Sequence, residues 1–157
     1  DHILFYLDDK AQLCGPLKFY HQMDSSVGLM KLIPSADASL LDYMAAHYDA
    51  VIIESFGVGG LPSYDDGGDY YRAVAHWISL GKTVIMTTQV TNEGSNMSVY
   101  EVGKKIKREF GLLEAYDMTL EAAVTKIMWF LTQTREPEKV RELFYQTVNH
   151  DILWKSS

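Results

Sequence analysis

The feature that most constrains this chain is a set of short, unbroken apolar runs separated by segments of helical period. Val51-Ile52-Ile53 and Val84-Ile85-Met86 do not alternate with polar residues, as a strand with one wet face would. Continuous β-branched runs mark strands buried on both sides. We expect four strands on this basis, at Val27 to Ile33, Ala50 to Phe56, Thr83 to Gln89 and, more weakly, Leu112 to Tyr116. Between them, Leu40, Leu41, Met44 and Ala45 form one helical stripe after Asp37, a residue suited to an N-cap. Tyr70, Val74, Trp77 and Ile78 form a second, stopped by Gly81, and Val99, Val102, Ile106 and Phe110 form a third, stopped by Gly111. After the last strand, Thr119 or Asp117 should cap a helix with Ala123, Ile127, Phe130 and Leu131 inside, and Pro137 should open another carrying Val140, Leu143 and Phe144. Strands alternating with helices imply an α/β fold. It should have three layers, a roughly four-stranded parallel sheet flanked by helices, Rossmann/flavodoxin-like.

Composition narrows the function classes. At 157 residues and 47% hydrophobic, the chain has the material for one core. Its 14 basic against 21 acidic residues, net −7, argue against nucleic-acid binding, which needs a basic surface. Lys104, Lys105, Lys107 and Arg108 alternate with apolar residues and read as a solvated helix face. No apolar stretch approaches the roughly 20 residues that cross a bilayer, so no membrane role is expected. A single cysteine, Cys14, excludes an intrachain disulfide and fits a reducing, cytoplasmic setting. His2, His21, His47, His76 and His150 are scattered without metal-ligand spacing. Asp65-Asp66-Gly67-Gly68-Asp69 is too short for a calcium loop, so neither metal nor organic cofactor is expected.

Residues 1–26 fall outside the alternating pattern. Phe5, Tyr6, Leu7, Phe19 and Tyr20 lie among turn signals and fit either an arm over the sheet edge or a connector to a further domain. The start at Asp1 rather than Met leads us to expect a connector arm over 1–26 and an α/β domain over 27–157.

Ligands of parallel sheets collect at the carboxyl ends of the strands. Two loops there are unusual. Glu54-Ser55-Phe56-Gly57-Val58-Gly59-Gly60-Leu61-Pro62-Ser63 carries three glycines in four positions, which suits tight turns and close approach to a ligand equally. Its spacing breaks both the dinucleotide fingerprint and the Walker-type loop. Thr87-Thr88-Gln89-Val90-Thr91-Asn92-Glu93-Gly94-Ser95-Asn96-Met97-Ser98 is dense in hydroxyls and amides that can grip an amino-acid-like ligand, or simply cap the next helix. No nucleophile elbow or complete catalytic set is present.

Val51 to Pro62, with Met86-Thr87-Thr88-Gln89, Gly94 to Gly103, and Asp117 to Lys126, resembles in consistent order the C-terminal domain of bacterial L-asparaginases. The resemblance implies a two-domain amidohydrolase converting L-asparagine to aspartate and ammonia. Its catalytic threonines would belong to an N-terminal domain, so this piece should be inactive by itself and contain no catalytic residue. It also implies a homo-oligomer in which this domain lends a wall of the substrate site to a neighbouring subunit. By position that wall is Ser55, Phe56, Gly57, Gly59 and Gly60, with Asn92, Glu93, Ser95 and Asn96. Several family members carry asparagine where this chain has Gly60. In the allosteric cytoplasmic type, an arginine and a cysteine stand where this chain has Glu54 and Val90. Two other readings remain: the asparaginase-like subunit of a tRNA-dependent glutamyl amidotransferase, and a non-catalytic amino-acid-binding module.

Overall fold

The computed structural model describes residues 16, 18–62, 68–91, 93–99, 101–148 and 150–153. Cys14, Asn92, residues 65–67 of the acidic turn and most of the 1–26 arm lie outside them. The elements run β1 (Val27–Lys31), α1 (Ser39–Ala45), β2 (Ala50–Ser55), α2 (Asp69–Ser79), β3 (Thr83–Thr88), a 3-10 turn (Met97–Val99), α3 (Glu101–Phe110), β4 (Leu113–Glu114), α4 (Leu120–Leu131) and α5 (Pro137–Tyr145). All four strands pair in parallel, with Val51 beside Gly28 and Val84, and Ile85 beside Leu113.

The strands lie in the order β1-β2-β3-β4. Each right-handed crossover therefore advances the chain in the same direction and leaves its helix on the same face. Leu41, Ala45, Ala73, Val74, Trp77 and Ile106 of α1 to α3 pack on Val51, Ile53, Val84 and Met86. The opposite face, Ala50, Ile52 and Ile85, is covered by Ala123, Ile127, Val140 and Phe144 of α4 and α5. Two covered faces explain why every residue of β2 is buried, and why its sequence does not alternate. A sequential order also means that the sheet has no point where strand order reverses, so a ligand rim must come from the loops themselves.

Local chemistry sets the element ends. Gly81 and Gly111 take φ of +70° and +60° after α2 and α3, the left-handed conformation that glycine adopts freely. Thr119 caps α4 by accepting from the Ala122 N–H at 3.1 Å. Two expectations shift. Asp37 is not the N-cap of α1; that position is Ala38, and Asp37 Oδ1 accepts from Ser39 N at 2.8 Å, a turn one residue earlier. The last strand is shorter than Leu112 to Tyr116, because Tyr116 has φ +51° and ends the extended run.

The described part of the arm runs along α4 before entering β1. Tyr20 meets Trp129 edge-on at 4.7 Å, and Asp24 N donates to Met128 O at 2.8 Å. Among the described residues no helix is long and apolar enough to cross a membrane.

Candidate functional site

Both unusual loops leave the carboxyl edge of the sheet side by side, because β2 and β3 are neighbours in parallel. The Thr88 hydroxyl donates to Gly57 O, Gln89 N donates to Ser55 O at 2.9 Å, and Asn96 N donates to Val58 O at 2.5 Å. Gln89 Nε2 reaches Leu32 O at 2.7 Å and Glu54 O at 3.3 Å, tying the end of β3 to the exits of β1 and β2. The first loop needs its glycines conformationally. Gly59 has φ +103° and sits buried against Ser95 and Met97, and Gly60 has φ +146°.

Among the described residues, which leave out Asn92, the structure brings the predicted wall residues together but divides their duties. Ser55 is buried and its hydroxyl donates to Gly60 O, so it braces the loop from beneath. Ser95 is buried, its N–H donates to Tyr116 O at 2.8 Å, and its hydroxyl has no hydrogen-bond partner among the described residues. Asn96 is exposed, with Oδ1 accepting from Ser98 N at 3.1 Å. Phe56, Gly57, Glu93 and Asn96 form the exposed crest, and Gly60 is half-buried beside them. Ser55 and Thr88 both donate to backbone carbonyls. Their hydroxyl protons are spent on the loop backbone rather than on a general base.

Four residues that the sequence did not mark as part of the site, Glu114, Lys107, Tyr116 and Tyr145, hold the rim from behind. Glu114, on β4, is fully buried, and its Oε1 accepts from Met97 N at 2.6 Å. Its Oε2 accepts from Lys107 Nζ, which also donates to Tyr116 OH at 2.6 Å and lies 4.6 Å from that ring's centre. Burial pushes the Lys107 ammonium down, but its hydrogen bonds to Glu114 and Tyr116 outweigh burial and hold it above the usual lysine value. Tyr145 OH accepts from Glu114 N at 2.9 Å, and burial raises this phenol above its ordinary value. Lys107 is thus not part of a solvated stripe, although Lys104, Lys105 and Arg108 are exposed. One signal was available: an acid between Leu113 and Ala115 on a buried strand requires a partner.

On the β1 side of the same edge, Glu54 is held by Lys31 Nζ at 3.0 Å through both carboxylate oxygens. Its negative charge therefore meets a cation on the neighbouring strand instead of facing the loop uncompensated.

The Gly60 backbone makes a further expectation specific. Nothing lies within 4 Å of a Cβ added there, yet φ +146° disfavours any L side chain. Gly60→Asn should therefore lower stability by about 1–3 kcal/mol, through conformation and not through a clash. An unchanged urea midpoint would show that the loop takes another backbone path.

The site is thus a pair of interlocked, glycine- and amide-bearing loops at the carboxyl edge of a parallel α/β domain. The description that matches it is the Glutaminase/Asparaginase C-terminal domain, over residues 26–144, and the chain belongs to that family. L-asparaginase of Thermococcus kodakarensis is 33% identical over 138 residues, 88% of this chain and 41% of that relative. A glutamyl-tRNA(Gln) amidotransferase subunit of Pyrococcus abyssi is 28% identical over 123 residues, 78% of this chain and 27% of that relative. The solved thermostable L-asparaginase from Thermococcus kodakarensis superposes with a TM-score of 0.77 at 32% identity, covering 85% of this chain and 40% of that one. L-asparaginase I from Vibrio cholerae shares the fold, with a TM-score of 0.77 at 23% identity over 90% of this chain and 42% of that one. The chain spans well under half the length of each of these proteins. The resemblance pointed to bacterial enzymes; these sequence relatives are archaeal, so the family carries over and a bacterial origin does not.

Proposed function

We propose that this chain is the C-terminal domain of an L-asparaginase, which hydrolyses L-asparagine to L-aspartate and ammonia. In this reading it supplies a wall of the substrate site and a subunit interface, while the nucleophilic threonines lie in an N-terminal domain reached through the 1–26 arm. The observation that carries the reading is the interlocked pair of loops, whose braced hydroxyls leave a crest of Phe56, Gly57, Glu93 and Asn96 to meet a ligand. Ser55, Gly59, Gly60, Asn92 and Ser95 complete the wall, offered to a neighbouring subunit of a cytoplasmic homo-oligomer. A wall of this kind works by orientation: an error of about 1 Å at the reacting atoms costs ~10²-fold in rate. No catalytic residue, metal or cofactor is assigned to this chain.

The test is ammonia release from L-asparagine. The chain by itself should release none above the uncatalysed background, and addition of a separately produced N-terminal domain should restore turnover. Turnover by the chain without that domain would overturn the division of labour.

The amidotransferase reading is favoured by several relatives that are glutamyl-tRNA(Gln) amidotransferase subunits, each between 26% and 28% identical. It predicts that the restored two-domain protein supports amidation of glutamyl-tRNA when its partner subunit is supplied. Asparagine hydrolysis without such support favours the first reading.

A further inference from the structure

We infer that Glu114 is a positioning residue for the rim, acting through Met97 and set in place by Lys107 and Tyr116. The inference rests on the reading of the 93–97 segment as part of the substrate wall. A carboxylate with no exposure is tolerated only where its oxygens are used, and Glu114 spends one on each of two elements. Oε1 takes the Met97 N–H at the end of the rim loop, and Oε2 takes the Lys107 ammonium from α3. Tyr116 joins the two: its hydroxyl accepts from Lys107, and its carbonyl accepts from Ser95 N two residues before Met97. The loop is thus fixed at its start by Thr88 on Gly57 and at its end by a carboxylate on the neighbouring strand. Asn96 lies between Ser95 and Met97, the two residues so held. Its N–H to Val58 O places the second loop against the first, so the crest keeps its shape only while Glu114 holds Met97.

Amide hydrogen exchange on the intact 157-residue chain tests this directly, with wild type compared against Glu114→Ala, Glu114→Gln and Lys107→Met. In Glu114→Ala, exchange at Ser95 and Met97 should accelerate about 10- to 100-fold beyond any change at Ile52 and Ile85, which report global opening. Glu114→Gln retains an acceptor oxygen and should keep Met97 slow. That rescue separates positioning from bulk stability. Where Glu114→Ala does not fold, Lys107→Met should still speed exchange at Met97 more than at Ile52. Equal acceleration at all sites, no change at Ser95 and Met97, or the same pattern in Glu114→Gln and Glu114→Ala would overturn the inference. The experiment contains no substrate, so its failure is distinct from failure of the asparaginase reading. A local change in exchange, together with an unaltered KM for asparagine in the restored enzyme carrying Glu114→Ala, would leave the clamp standing and remove the substrate wall instead.

Discussion

Gly94→Ala is expected to lower the stability of the domain by about 2–4 kcal/mol and to release the rim from the sheet edge. Two costs combine. Gly94 has φ +69°, where an added side chain is disfavoured. A Cβ there would also stand 2.5 Å from Tyr116 O, 3.0 Å from Tyr116 C and 3.2 Å from Asp117 Cα, all backbone atoms. A flexible side chain could swing aside, but these atoms cannot. Tyr116 is itself at φ +51° and is held by the Ser95 N–H at 2.8 Å, so the strain passes directly into that bond. Once Ser95 moves, Met97 loses its alignment on Glu114 two residues later. Urea unfolding read by tryptophan fluorescence measures the loss. A Gly94→Ala protein within about 0.5 kcal/mol of wild type would mean that the two backbones do not approach as closely as described.

The contrast between Gly94 and Lys107 shows what the sequence discloses. The strands were legible because β2 and β3 are covered on both faces, and burial of that kind leaves continuous apolar runs in the chain itself. The stops at Gly81 and Gly111 were legible because left-handed backbone selects glycine locally. The two loops were legible as unusual from their composition, and the parallel pairing of β2 and β3 then forces them together. Strand order was not legible, since alternation implies crossovers without saying which edge each strand joins. Nor was the inward turn of Lys107. Periodicity placed it among Lys104, Lys105 and Arg108, yet it stands one turn after buried Gly103 and next to buried Ile106. The acid that pulls it inward is seven residues away on another element. Ser55 and Ser95 illustrate the same limit at the site. Ser55 ends β2 and Ser95 lies in a loop, but the fold turns both inward, and their burial depends on the glycine turn and on the chain just after β4.

Asp151→Ala should cost about 3–5 kcal/mol, because it strands a cation inside the second core. Lys126 lies on α4 with its side chain 3% exposed, its Nζ 2.6 Å from Asp151 Oδ2 and 5.9 Å from the Phe144 ring centre. At 2.6 Å the carboxylate touches the ammonium directly and neutralises its charge. Asp151 also accepts from Val148 N at 2.7 Å through Oδ1, and buried Ile152 follows it, so one carboxylate fastens the C-terminal stretch to α4 and neutralises a buried charge. Removal of both partners should cost far less than removal of one, since an apolar pair leaves no charge to solvate. The double variant Lys126→Met with Asp151→Ala should therefore recover most of what Asp151→Ala loses in thermal unfolding. If the two single losses instead add, the ammonium reaches water without Asp151, and the C-terminal stretch is held to α4 by Ile152 and its apolar neighbours and not by charge.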